Sequence, residues 1–205
     1  MEVTPVFSID NIKLKSKESL EGKYSKYFLM MIFIFLISLV TEFFRPAQTS
    51  ILFETVSLFI TYALSMYVYK ADLTIALGFD EFKFSISDIS YVAIKGAVMS
   101  FLMLAIIGLG LIFFIIPGLI LSYMFSQAYY ILIEDESKSM IQCLIESKNM
   151  MKGNIWNYIL LQLSYFPSII IGFLTLGIGF YWIIPRISVS NANFYLYVEE
   201  QYNRK

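Results

Sequence analysis

The stretch that decides the fold is residues 89–133, which read ISYVAIKGAVMSFLMLAIIGLGLIFFIIPGLILSYMFSQAYYILI. Its only charged residue is Lys95. As one straight helix these roughly 45 residues would extend about 67 Å, more than twice the ~30 Å hydrocarbon thickness of a bilayer. Gly108, Gly110 and Pro117 interrupt the run near its middle. The pattern therefore predicts two membrane spans joined by a turn.

The composition of the whole chain agrees with a lipid environment. Of its 205 residues, 58% are hydrophobic and 15% are charged, against about 25% charged in ordinary soluble domains. The mean hydropathy is +0.69, and a soluble domain of this size cannot hide so much apolar surface. With a net charge of −1, the chain also lacks the basic field that nucleic acid would require. These values exclude a disordered chain, a nucleic-acid-binding protein and an ordinary cytosolic enzyme.

Further apolar runs bring the predicted number of transmembrane helices to six. Between residues 155 and 198 the only charge is Arg186, with Gly177, Gly179 and Pro185 near the middle of the run. We place the spans at about 26–44, 50–69, 89–109, 113–133, 155–174 and 178–198. The predicted fold class is all-α, a polytopic membrane protein.

Lysine and arginine residues accumulate on one side of these spans. The segment before the first span holds Lys13, Lys15, Lys17, Lys23 and Lys26. The connections expected on the opposite side hold Arg45, with Arg186 nearby. This asymmetry predicts that both termini are cytoplasmic. We expect a cytoplasmic N-terminal segment at 1–24, a six-helix membrane domain at 25–198 and a cytoplasmic tail at 199–205.

Two segments of the chain resemble each other. GLGLIFFIIP at 108–117 is similar to GIGFYWIIP at 177–185. Such a repeat predicts three helical hairpins of the same orientation. The alternative is coincidence, because apolar sequence uses few residue types and proline is favoured in the first turn of a helix. The positions expected to break helices are Pro46, Pro117, Pro185, Gly108, Gly110, Gly177 and Gly179.

Two cytoplasmic segments are predicted to form amphipathic helices. In 137–152, Ser139 and Gln142 have the spacing of a capping box, and apolar residues follow on one stripe. We expect this helix to lie on the inner leaflet. Residues 9–20 are predicted to form a less strongly amphipathic helix, with Ile12, Ser16 and Leu20 on one side. The alternative is that both helices only connect other elements.

The residues that most enzymes need are missing. There is no histidine, which excludes His-based acid–base catalysis and His-containing metal sites. There is no Walker motif. The aspartates lie outside the predicted spans, at Asp10, Asp72, Asp80, Asp88 and Asp135. We therefore predict no enzyme, no catalytic residue, no metal site and no cofactor.

Two ionisable residues fall within or near the spans, and such residues are functional candidates. Glu54 and Arg186 are expected at similar depths near the outer face, where they could pair and line a polar pocket. The last span continues this polar character with Ser188, Ser190, Asn191 and Asn193. In the alternative interpretation both charges extend to the outer interface, and the polar side chains only join helices.

Several motifs, most of them in the last third of the chain, are similar to the signature of a family. They are LKSKESLEG at 14–22, SKNMMKGN at 147–154, TLGIG at 175–179, Ile184-Pro185 and Asn193-Phe194-Tyr195. The family is an uncharacterised one of small polytopic membrane proteins, mostly from Gram-positive bacteria, known as domain of unknown function nine-seven-five. The resemblance implies a bacterial cytoplasmic-membrane protein with six helices, and it implies no catalytic residues. Arg186 stands where that family usually has tyrosine.

The sequence supports two kinds of function. The first is a non-enzymatic membrane protein that acts by contact, either in self-protection (immunity) against a membrane-active peptide or as an accessory to a transporter. The alternative is a small transporter or lipid-handling protein, which the hairpin repeat and the polar last helix favour. The expected partners are the lipid bilayer and either a peptide or another membrane protein. The sequence leaves the oligomeric state open.

Overall fold

The computed structural model describes residues 7–43, 51–79, 86–113 and 115–204. For some helical residues it describes the backbone alone; these are 41–43, 51–56, 58–59, 86–93, 104, 109–113 and 115–117. The described residues form ten α-helices and no strand.

The helices follow one another with short connections. The first five are α1 (Ile9–Leu20), α2 (Tyr24–Phe43), α3 (Ile51–Ala76), α4 (Ile86–Phe113) and α5 (Ile115–Met124). The last five are α6 (Ala128–Glu134), α7 (Met140–Met151), α8 (Ile155–Leu163), α9 (Phe166–Leu174) and α10 (Phe180–Asn203). The predicted all-α class is therefore confirmed.

The helices do not reproduce the predicted spans one for one. The region 113–133 contains two helices, α5 and α6, and the region 155–174 contains α8 and α9. At both breaks a serine hydroxyl donates to a carbonyl three residues earlier: Ser126 to Tyr123, and Ser164 to Leu161. Such local bonds compete with regular helical bonding.

Length and hydropathy single out one membrane-crossing candidate among the described residues. It is the stretch Ile155–Leu174, made of α8 and α9. Together, α1 and Tyr24–Val40 also pass this test, but they meet at an angle of 88°. The count of six spans therefore stays a prediction.

The positions expected to break helices behave differently from one another. Gly177 has a φ of +93° just after α9, a backbone conformation that favours glycine. In contrast, α4 continues through Gly108 and Gly110 and ends at Phe113, so the expectation of a break at these two glycines is wrong. A glycine inside a helix costs only about 1 kcal/mol relative to alanine, which a long helix tolerates.

The remaining expected helix breakers are the prolines and Gly179. Pro185 lies inside α10, and Pro117 lies near the start of α5. Gly179 is the residue before α10. Pro46 lies outside the described residues.

The two amphipathic segments are both helices. Ser139 and Gln142 form the predicted capping box of α7, each bonding the backbone N–H of the other. One side of α7 is buried against the protein, whereas Ile141 and Ile145 are exposed. The expected face of α1 is buried; it consists of Ile12, Ser16 and Leu20.

The last helix, α10, forms the centre of the molecule. It packs against α1, α2, α3, α7 and α9. Its buried residues include Val189, Ala192, Phe194, Tyr195 and Val198. The core therefore surrounds the C-terminal half of α10, and the helices listed above meet there.

A candidate ligand cavity between helices α2, α3 and α10

The polar side chains predicted on the last helix face inward and hold neighbouring elements. The Ser190 hydroxyl lies 2.6 Å from the hydroxyls of both Ser16 and Tyr165. Gln162 Nε2 donates to Asn191 Oδ1 over 2.6 Å, which joins α8 to α10. Asn193 is also buried, and its Nδ2 donates to the Val189 carbonyl within α10.

Two residues of this polar face also line a cavity of about 350 Å³. These residues are Ser188 and Asn191. Helices α2, α3 and α6 supply the other walls, with Ile34, Ser38, Thr61, Leu64, Ser65, Val68, Tyr69, Asp72 and Tyr130. The lining thus combines hydroxyl groups, tyrosine rings, aliphatic side chains and one carboxyl group.

That carboxyl group belongs to Asp72, which is only 2% exposed. The Tyr27 hydroxyl donates to Asp72 Oδ1 over 2.5 Å, and Tyr27 is itself fully buried. No Lys or Arg is present among the described residues that line the cavity. The negative charge of an ionised Asp72 would therefore have no cationic side chain in the cavity wall to offset it.

Burial sets the protonation state of this carboxyl group. Asp72 follows the predicted second span, 50–69, and belongs to the last turns of α3. Loss of hydration raises the pKa of Asp72 from 3.8 to about 8, and the hydrogen bond from Tyr27 partly opposes this rise. The other groups that face Asp72 are Tyr69, Tyr130 and Ser188. Asp72 is therefore mainly protonated at neutral pH.

Tyrosine rings form one wall of the cavity. The Tyr69 ring stacks on Tyr129 with a centroid separation of 5.0 Å, and it meets Tyr130 edge to face at 5.2 Å. Tyr130 in turn stacks on Tyr195 of α10 at 5.4 Å. These contacts fix the orientation of the two rings that line the cavity, Tyr69 and Tyr130.

Sequence reasoning did not select Asp72, because it falls outside the predicted spans. A signal was nevertheless present in α3. Thr61, Ser65, Tyr69 and Asp72 follow one another at intervals of three or four residues, the spacing that places side chains on one helix face. A search for polar stripes, rather than for charges inside spans, would have found the cavity wall.

Arg186 contacts a residue that the sequence did not predict as its partner. Its Nε donates to the Tyr24 hydroxyl over 2.9 Å, and its guanidinium carbon lies 6.0 Å from the centroid of that ring. Tyr24 was expected at the cytoplasmic face and Arg186 near the outer face, and one contact cannot satisfy both expectations. The side chain of Glu54 lies outside the described residues, so its pairing with Arg186 stays a prediction.

A second polar cluster lies where α6 meets the end of α10. The Tyr195 hydroxyl donates to Glu134. Burial, followed by the nearby charge of Glu134, raises the pKa of Glu199 from 4.5 to about 7. Lys138 forms a 2.8 Å ion pair with Glu146 of α7. No group of three or more metal-ligating side chains occurs in the part of the chain that the structure describes.

Comparison with known proteins identifies the family. Residues 82–202 match the family DUF975, which is described as a protein of unknown function. The chain belongs to this family. No match was found among curated proteins or among solved structures. The matched region of this DUF975 protein includes α10 and the cavity residues Tyr130, Ser188 and Asn191, whereas Asp72 and Tyr27 precede it.

The raised pKa of Asp72 predicts how stability depends on pH. The folded protein retains a proton that the unfolded chain releases, so this stabilising contribution is complete below about pH 4 and is lost as the pH rises through about 8. The melting temperature in detergent should fall between about pH 5 and pH 9. Asp72→Asn should make this slope shallower. Glu199 contributes to the pH dependence in the same direction in the parent protein and in Asp72→Asn. The difference between their two slopes of melting temperature against pH therefore reports on Asp72 alone. Equal slopes would contradict a raised pKa of Asp72.

The contact between Arg186 and Tyr24 predicts coupling between their substitutions. Arg186→Leu and Tyr24→Phe should each lower the free energy of unfolding, and the double variant should lose less than the sum. We expect a coupling of about 0.5–1.5 kcal/mol in a double-mutant cycle. A parallel cycle with Glu54→Leu serves as the comparison. Coupling of Arg186 to Glu54 and not to Tyr24 would show that the observed contact is the wrong one.

Proposed function

We propose that this DUF975 protein is a non-enzymatic integral membrane protein that binds a small polar solute in the Asp72 cavity, as a small transporter does. The observation that carries the proposal is a buried carboxyl group in a polar cavity whose walls come from α2, α3, α6 and α10. Ligand sites combine such apolar walls with a few convergent polar groups. A buried carboxyl group that faces a cavity is a candidate for a functional site.

The proposed membrane location is supported by the outer surface of the helices. Large apolar side chains are exposed along α2, namely Leu29, Ile32, Phe33, Phe35, Leu36, Leu39 and Val40. Others are exposed on α4, among them Ile94, Val98, Phe101 and Ile106. Soluble monomers rarely expose contiguous apolar surface on this scale. We propose six membrane-crossing segments, with both termini on the cytoplasmic side of a bacterial membrane. In this topology the contact with Tyr24 places Arg186 nearer the cytoplasmic face than the sequence predicts.

A second candidate is the function by contact, in immunity or as an accessory to a transporter. It is favoured by the tip formed by α9 and the turn that follows it. Phe173, Leu174, Leu176 and Ile178 are all at least 69% exposed, and Leu176 is 95% exposed. Such a tip could contact a membrane-active peptide or another membrane protein, as well as lipid. The cavity favours the first candidate, because a protein that acts only by contact does not need a polar cavity large enough for a solute.

Cysteine labelling in vesicles tests the proposed function. The background is Cys143→Ser, which removes the single native cysteine. Ser65 lines the cavity, and its hydroxyl donates to the Tyr62 carbonyl of its own helix, so Ser65→Cys is a mild change. We expect a small, permanently charged methanethiosulfonate reagent to modify Ser65→Cys, because a solute cavity must admit water. Phe33→Cys is the matched control on the apolar surface of α2 and should not react.

Two results would contradict the proposal. If Ser65→Cys is as unreactive as Phe33→Cys, the cavity is closed to polar solutes. If both variants react fully, the apolar surface of α2 faces water and the membrane location is wrong.

A further inference from the structure

The charged side chains that line the cavity restrict the kind of solute that it can bind. Among the described residues that line the cavity, Asp72 is the one carboxyl group and there is no basic side chain. An ionised carboxylate that is buried without a cationic partner is strongly unfavourable. Asp72 is therefore stable in two states. It either carries a proton, or it is paired with a cation that comes from outside the protein.

The other walls indicate which kind of cation fits. Tyr69 and Tyr130 line the cavity, and tyrosine rings attract ammonium groups. Ile34, Leu64 and Val68 contribute aliphatic surface, which contacts methyl and methylene groups well. The volume of about 350 Å³ also exceeds what a single inorganic ion would fill.

We propose that the cavity binds an organic ammonium cation, and that Asp72 gives up its proton when the cation binds. This inference rests on the proposed function and names its solute class. The exchange is balanced: one cation enters, one proton leaves, and the cavity stays neutral. Tyr27 keeps the carboxyl group in place in both states, because its hydroxyl donates to Asp72 Oδ1.

Calorimetry with the full-length protein in nanodiscs tests the inference. The probe is choline, and the control ligand is 3,3-dimethylbutan-1-ol, which has the same shape without the charge. We expect choline to bind and the alcohol not to bind. Because the proton competes with the cation, the apparent affinity for choline should rise about tenfold per pH unit below the pKa of Asp72. Titration in buffers of different ionisation enthalpy should show about one proton released per choline bound.

Substitutions test whether choline binding depends on Asp72. Asp72→Asn should abolish choline binding, and because an amide has nearly the same shape as a protonated carboxyl group, the variant should fold. Glu200→Gln is the matched control, since Glu200 lies outside the cavity and pairs with Arg204. It should bind choline like the parent. Tyr27→Phe removes a hydrogen bond that lowers the pKa of Asp72. In this variant, the pH range in which the affinity for choline increases should therefore shift to higher pH.

Several outcomes would overturn the inference. They are the absence of choline binding, equal binding of choline and its neutral analogue, retained binding in Asp72→Asn, and equally strong binding of potassium. Each leaves the proposed function standing if Ser65→Cys still reacts with methanethiosulfonate reagents of both charges, because that labelling tests access to the cavity and not the charge of the solute. A cavity closed to the reagent would instead remove the proposed function itself.

Discussion

The hydrogen bond from Tyr27 to Asp72 is the interaction on which the arrangement of the helices depends. It joins the start of α2 to the end of α3 inside the protein, with both side chains buried. A carboxyl group costs free energy when it leaves water, and the surrounding helices must supply the compensation. Tyr27 supplies a donor, and the proton that Asp72 retains removes the charge. The bond therefore links the packing of α2 and α3 to the protonation of one residue.

Helix α10 organises the other elements around this bond. Its polar residues make specific contacts with three neighbours: Ser190 with α1 and with Tyr165, which immediately precedes α9, and Asn191 with α8. Ser188 and Asn191 also reach the cavity that contains Asp72. One helix face thus holds the bundle together and forms part of the candidate site. This explains how polar residues can be both interhelical contacts and lining, two interpretations that the sequence presents as alternatives.

Local patterns could be predicted well from the sequence, and long-range arrangement could not. The buried face of α1, the capping box of α7 and the polar face of α10 all follow from residue spacing within one helix. The breaks near Ser126 and Ser164 depend on side chains that bond their own backbone, which hydropathy does not register. The partner of Arg186 depends on where α2 meets α10, which no local pattern specifies. Asp72 was excluded because it lies beyond the predicted end of a span, yet α3 continues to Ala76 and carries it into the protein.

The burial of Asp72 and its bond with Tyr27 require a neutral, hydrogen-bonded carboxylic acid in the protein without ligand. Infrared difference spectroscopy measures this directly, since the carbonyl stretch of a protonated carboxyl group is separate from the bands of carboxylates. A neutral Asp72 should give a protonated-carboxyl band at pH 7 that Asp72→Asn removes and that disappears as the pH rises through about 8. The absence of this band at pH 7, or a band that titrates near the ordinary pKa of aspartate, would show that Asp72 is ionised in the folded protein.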